Sequence, residues 1–146
     1  MAEILIMDEE RLSGWLPRRA RETHKGDYGR ILLLCGAVGY TGAPALAAMA
    51  AARSGAGLIF VGVPEPVYPI VAGKLLEPMV FPLPAQDGML AEAAVPEILA
   101  RLEGCDACLV GCGLGRSAGT FAALQAVLAN AACPVVVDAD GINVLE

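Results

Sequence analysis

Three short segments of this 146-residue chain carry residue types that can do chemistry, and each follows an apolar run. The first is Cys35-Gly36-Ala37-Val38-Gly39-Tyr40-Thr41-Gly42-Ala43, the second Gly111-Cys112-Gly113-Leu114-Gly115-Arg116-Ser117, and the third Asp138-Ala139-Asp140-Gly141. Glycine-rich turns that lead from a strand into a helix present backbone N–H groups with no side chain to block an approaching anion or ring. That arrangement suits a nucleotide-like small molecule. Taken one at a time, each loop can equally be a tight turn and nothing more. Asp138 and Asp140, at a strand end, can hydrogen-bond a ligand or a metal-bound water. A solvated turn, or a helix N-cap at Asp140, serves as well for an isolated pair.

Several other chemistries fall away. Arg116 stands where a dinucleotide fingerprint beginning at Gly111 requires glycine, and no Gly-Lys-Ser/Thr occurs, which excludes a P-loop. Cys105-Asp106-Ala107-Cys108 has the spacing of a redox or metal motif. Thiols at i and i+3 of a strand point to opposite faces, and no histidine accompanies them, so no metal ligand is assigned. His24, the single histidine, sits in a polar stretch without a neighbouring nucleophile and is expected to face solvent.

The elements that must position these loops follow from the apolar pattern. Strands are expected at 31–35, 58–63, 79–83 (an outer strand), 107–110 and 135–137. Helices are expected at 8–16, ending at Pro17; from Thr41 or Gly42 to Arg53; near 68–75; over 90–102; over 117–130 with a capping Ser117; and starting at Asn143. Strands alternating with helices of this length mean right-handed β-α-β units around a parallel sheet. Ligands of such sheets lie at the carboxyl ends of the strands, so the three segments converge on one site. A chain that stops at Glu146, just after a strand and the first turn of a helix, is expected to be truncated.

Composition agrees. The chain is 56% hydrophobic but only 5% aromatic, the profile of strands buried on both faces under small-faced helices. Residues 1–30 balance six acids with six bases, so the whole net charge of −6 arises later, where Arg53, Lys74, Arg101 and Arg116 are the only cations. No phosphate-tracking stripe results, and nucleic acid is not an expected partner. The cations between Arg18 and Arg30 alternate with Glu22 and Asp27 and read as a solvated face. The uncharged runs 31–52 and 117–137 are interrupted by turn residues, so no membrane span is expected. An acidic N-terminus without a signal sequence, and five cysteines in mostly apolar surroundings, point to reduced thiols in the cytoplasm.

His24-Lys25-Gly26-Asp27-Tyr28-Gly29-Arg30 before the first glycine loop resembles the ADP/ATP-dependent NAD(P)H-hydrate dehydratase family. So do Thr41-Gly42-Ala43, the 52–58 segment Ala-Arg-Ser-Gly-Ala-Gly-Leu, Gly111-Cys112-Gly113-Leu114-Gly115 and Asp138-Ala139-Asp140-Gly141-Ile142-Asn143. The resemblance runs from His24 to the end of the chain. It implies a three-layer α/β/α, ribokinase-like fold with a mostly parallel sheet, with residues 1–29 as a lead-in and 30–146 as the N-terminal half of the domain. It implies repair of hydrated NADH or NADPH: ADP or ATP with Mg²⁺ phosphorylates the hydrate's hydroxyl, and loss of phosphate restores the ring double bond. Ala43 and Gly113 would contact the hydrated substrate, with Asp138 and Asn143 supporting the pocket. Cys112 stands where the family usually has proline.

The same resemblance places the family's catalytic aspartate and nucleotide-binding segments beyond Glu146. No catalytic residue is therefore assigned within the chain, and the chain alone is expected to be inactive. A full-length form is expected to be a homo-oligomer. A non-catalytic nucleotide-binding or interaction module that keeps only the pocket loops is the alternative reading.

Overall fold

The computed structural model describes residues 8–15 and 18–145. Its centre is a five-stranded, all-parallel sheet made of β1 (Arg30–Leu34), β2 (Leu58–Pro64), β3 (Met79–Leu83), β6 (Ala107–Val110) and β7 (Val135–Val137), in the order β3-β2-β1-β6-β7. Helices α2 (Gly42–Arg53) and α3 (Tyr68–Ala72) cover one face; α4 (Val95–Leu102) and α5 (Ala118–Asn130) cover the other. Helix α1 (Glu9–Trp15) is short and exposed. Its expected stop at Pro17 lies outside the described residues.

The continuous apolar run of β1 reflects burial from both sides. Leu32 and Leu34 pack with Ile98, Leu102, Leu124 and Val127 of α4 and α5. Leu33 points the other way, into a cluster with Ile59, Val61, Ala48 and Val71. All three leucines are fully buried, each stabilising the fold by about 1.5–3 kcal/mol relative to exposure. Alanine-rich α2 buries Ala48 completely, as close packing on a sheet requires.

The lead-in is joined to this body. Gly57 N–H and Leu58 N–H donate to the carbonyls of Tyr28 and Gly29, while Arg30 N–H donates to Asp106 Oδ2 at 2.7 Å. Arg19, expected on a solvated face, also donates to the Gly55 carbonyl (2.7 Å) and stacks on the Tyr28 ring.

Three expectations need correction. The α-helix does not start at Leu90; Glu92–Ala94 form a 3-10 turn that leads into it. Leu90 belongs to a small antiparallel hairpin, β4 (Ala85–Gln86) and β5 (Met89–Leu90), closed by Asp87-Gly88 with Asp87 at φ 52. Helix α4 begins only at Val95, where Pro96 fits its first turn. The last helix, α6 (Asp140–Asn143), starts three residues before the expected Asn143, and its N-cap is Ala139 rather than Asp140. Finally, Cys105 precedes β6 in a turn, so it packs on the same side as Cys108 instead of the opposite one.

Candidate functional site at the strand-order reversal

From β1 the chain builds outward through β2 and β3, then returns to place β6 on the other side of β1. The strand order therefore reverses between β1 and β6. At such a point the loops leaving the two strands diverge to opposite faces and open a crevice at their carboxyl ends. The loop Cys35–Thr41 leaves β1 and the loop Gly111–Ser117 leaves β6, so both glycine-rich segments flank this crevice.

Hydrogen bonds hold the loops in register. Gly36 N–H donates to the Cys112 carbonyl (2.9 Å), and Gly111 N–H to the Leu34 carbonyl (3.1 Å). Gly113 adopts φ +68, and a side-chain carbon there would stand 2.9 Å from Ala43 Cβ and 3.0 Å from Tyr40 Cβ. Only a residue without a side chain lets the second loop lie against the first turn of α2. Gly111 is equally confined: an added carbon would overlap the Asp138 carbonyl.

The third segment closes the site from β7. Asp138 N–H donates to the Val110 carbonyl, which docks the Asp138–Gly141 turn beside the second loop. Asp138 is exposed at the rim, and its carboxylate accepts a hydrogen bond from the Cys112 thiol (3.4 Å). Ala43, Cys112 and Asp138 line a cleft of about 540 Å³, with Leu46 and Ala47 of α2 as its wall and Leu109 and Val136 as its floor. Its lining is mostly apolar, and it opens broadly to the surface.

The four residues singled out from the sequence thus divide. Ala43 and Asp138 line the cleft, and Gly113 abuts Ala43 at its edge. Asn143 is not among the lining residues; its amide donates to Asp140 Oδ1 (3.3 Å). His24 is exposed and pairs with Asp27 (3.4 Å), away from the cleft.

Two side chains make contacts that the sequence does not announce. Asp140 accepts from Gly115 N–H (2.9 Å) as well as from Asn143, so one carboxylate joins the second loop to the β7 turn. Its position one residue after a strand-end turn was visible, but its partner 25 residues away was not. Lys74 places its ammonium on Thr41 Oγ1 (3.1 Å) and the Thr41 carbonyl (3.4 Å), at the start of α2. No spacing rule joins residues 41 and 74.

Comparison with known proteins identifies the fold and the family. The family described as NAD(P)H-hydrate dehydratase matches residues 31–146. A bifunctional NAD(P)H-hydrate repair enzyme from Moorella thermoacetica is 43% identical over 131 residues, covering 89% of this chain and 25% of the relative. The solved ADP/ATP-dependent NAD(P)H-hydrate dehydratase of Bacillus subtilis, co-crystallised with ATP/Mg²⁺, superposes with a TM-score of 0.73 at 33% identity, over 92% of this chain and 45% of its own. A ribokinase-like superfamily protein from Enterococcus faecalis shares the fold with a TM-score of 0.81 at 22% identity, over 99% of this chain and 50% of its own. The chain spans about a quarter of the first of these and about half of the two solved structures. By fold, loop order and sequence, the chain belongs to the NAD(P)H-hydrate dehydratase family.

Proposed function

We propose that this chain forms the substrate-side half of an enzyme that uses ADP or ATP to dehydrate hydrated NADH or NADPH. The observation that carries the reading is the contact between Gly113 and Ala43 at the strand-order reversal. It holds the two glycine loops together beside an open apolar hollow that has the Asp138 carboxylate at its rim. In this reading the puckered, hydroxylated nicotinamide ring lies against Ala43 and the backbone at Gly113. Asp138 accepts a hydrogen bond from a hydroxyl or amide of the ligand, and Asn143 acts at one remove by holding Asp140.

Phosphoryl transfer needs an anion hole, a divalent cation and a base that takes the hydroxyl proton. Among the described residues no group of three or more His, Cys, Asp or Glu side chains could hold a metal ion. Mg²⁺ is ordinarily held by one or two carboxylates together with substrate phosphates and water, so it would reach the hydrate with the nucleotide. The part of this half is to bind and orient the hydrate. Five free cysteines suit a reducing compartment, which supports a cytoplasmic setting. Among the described residues no helix is long and apolar enough to cross a membrane.

The test is an NMR titration of the isotope-labelled chain with hydrated NADPH. Shift changes centred on Ala43, Gly113 and Asp138 are expected. Changes centred instead on the separate hollow at Met49, Leu76 and Pro78, or none at millimolar ligand, would overturn the assignment.

A further inference from the structure

Cys35 and Cys112 leave the neighbouring strands β1 and β6 on the same face. Leu34 is in register with Val110, so Cys35 ends its strand beside Gly111 and one position short of Cys112. The Gly36 N–H to Cys112 carbonyl bond locks that approach. Cys35 is fully buried beneath α2, and Cys112 packs on the same cluster while also lining the 540 Å³ cleft. One thiol of the pair is thus half-buried at an open surface hollow, and the other is buried behind it.

We infer that Cys112 is an oxidation site for small hydroperoxides entering the cleft, and that Cys35 resolves it to a Cys35–Cys112 disulfide. The surroundings favour this direction. The nearness of the two thiols favours the Cys112 thiolate and holds that group below the ordinary thiol range, while the same nearness and burial push Cys35 well up. Asp138 is the ionisable group facing Cys112 from β7, and its carboxylate opposes the thiolate without reversing the direction. From α2 the facing residues Ala43, Leu46, Ala47 and Ala50 carry no charge. Burial pushes Cys105 up, and Cys108 up to about 12, which leaves both less reactive.

The steps balance. The Cys112 thiolate attacks one peroxide oxygen, an S–O bond forms, the O–O bond breaks, and the leaving hydroxide or alkoxide takes a proton from solvent. Cys112 has then lost two electrons to the peroxide and is a sulfenic acid. The Cys35 sulfur attacks the Cys112 sulfur; the S–S bond forms, the S–O bond breaks, and the departing hydroxide leaves as water with the Cys35 proton. Because the disulfide takes the thiol away from Asp138, it alters the rim of the cleft. The chemistry itself does not depend on the proposed dehydration.

The reduced 146-residue chain is treated with hydrogen peroxide near neutral pH and mapped by mass spectrometry. A cross-linked peptide pair joining Cys35 to Cys112 is expected. Cys35→Ala should replace it with a dimedone adduct at Cys112. In the unmutated chain, competitive alkylation should label Cys112 faster than Cys105, because Cys112 is held below and Cys105 above the ordinary thiol range. Faster labelling of Cys105 or Cys133, a disulfide between other cysteines, or a Cys112 left reduced under excess peroxide would overturn the proposal. The alkylation comparison decides the matter even if Cys35→Ala fails to fold.

Discussion

Ala43 and Gly113, 70 positions apart in the chain, meet so closely that a methyl group on Gly113 would stand 2.9 Å from Ala43 Cβ. Each belongs to a different glycine loop, and the contact decides how far apart the two walls of the crevice can stand. The loops are therefore one structure, although sequence presents them as two.

Gly113→Ala should destabilise the chain through two separable effects. One is the positive φ, which costs an L-residue about 1–2 kcal/mol. The other is the collision with Ala43 and Tyr40. Ala43→Gly removes part of the collision and none of the backbone strain. A double-mutant cycle on denaturation midpoints should show a favourable coupling of about 0.5–3 kcal/mol between the two substitutions. Strict additivity would mean that the loops separate freely, and the contact would no longer define the site.

Asp140→Ala should unlock the second loop from the β7 turn. The carboxylate is half-buried and satisfies both Gly115 N–H and the Asn143 amide. Losing hydrogen bonds to a charged acceptor costs about 1.5–3 kcal/mol. Hydrogen exchange at the Gly115 amide should speed up more than exchange in the core of β1. Equal acceleration at both places would mark a global loss of stability rather than a local release.

Much of this geometry can be read from the chain, for identifiable reasons. Leu32, Leu33 and Leu34 announce a strand covered on both faces because no polar residue interrupts them. Ser117 announces the start of α5, and its hydroxyl does accept from Thr120 N–H at 3.0 Å. The hairpin at 85–90 escapes because its strands are two residues long, too short for alternation to register, and Leu90 also fits the helical spacing that follows. At the site, the convergence of the loops follows from strand order, but their mutual distance does not. That distance depends on hydrogen bonds such as Gly36 to Cys112 and Gly115 to Asp140, which join residues 76 and 25 positions apart.

The fold should weaken at alkaline pH through Cys108. Burial raises its thiol from an ordinary value of 9.0 to about 12. A group with a raised folded pKa contributes its full stabilisation below the unfolded value and loses it as pH rises towards the folded one. Between about pH 9 and 12 the native state therefore retains a proton that the unfolded chain gives up. Stability falls by up to about 1.4 kcal/mol per pH unit from this group. Cys108→Val keeps the site apolar and removes the titration, so its stability should fall less steeply than that of the parent over this range. Parallel curves for the two proteins would show that the Cys108 thiol titrates normally in the fold.

Ala139→Gly should stabilise the chain. Ala139 is the N-cap of α6, at φ 48 and ψ −116, a combination that crowds Cβ against the backbone and that glycine adopts freely. The position is fixed from both sides: Asp138 N–H is bound to the Val110 carbonyl, and the Ala139 carbonyl accepts from Ile142 and Asn143 N–H. The residue cannot relax without breaking the turn that presents Asp138 to the cleft. Removing Cβ relieves about 1–3 kcal/mol of strain, against about 0.4–1 kcal/mol for the greater freedom of glycine in the unfolded chain. The net expectation is a gain of about 1 kcal/mol, read as a higher denaturant midpoint with an unchanged slope. A lower midpoint would mean that Ala139 stores no strain, and that the turn owes its shape to contacts made by the methyl group itself.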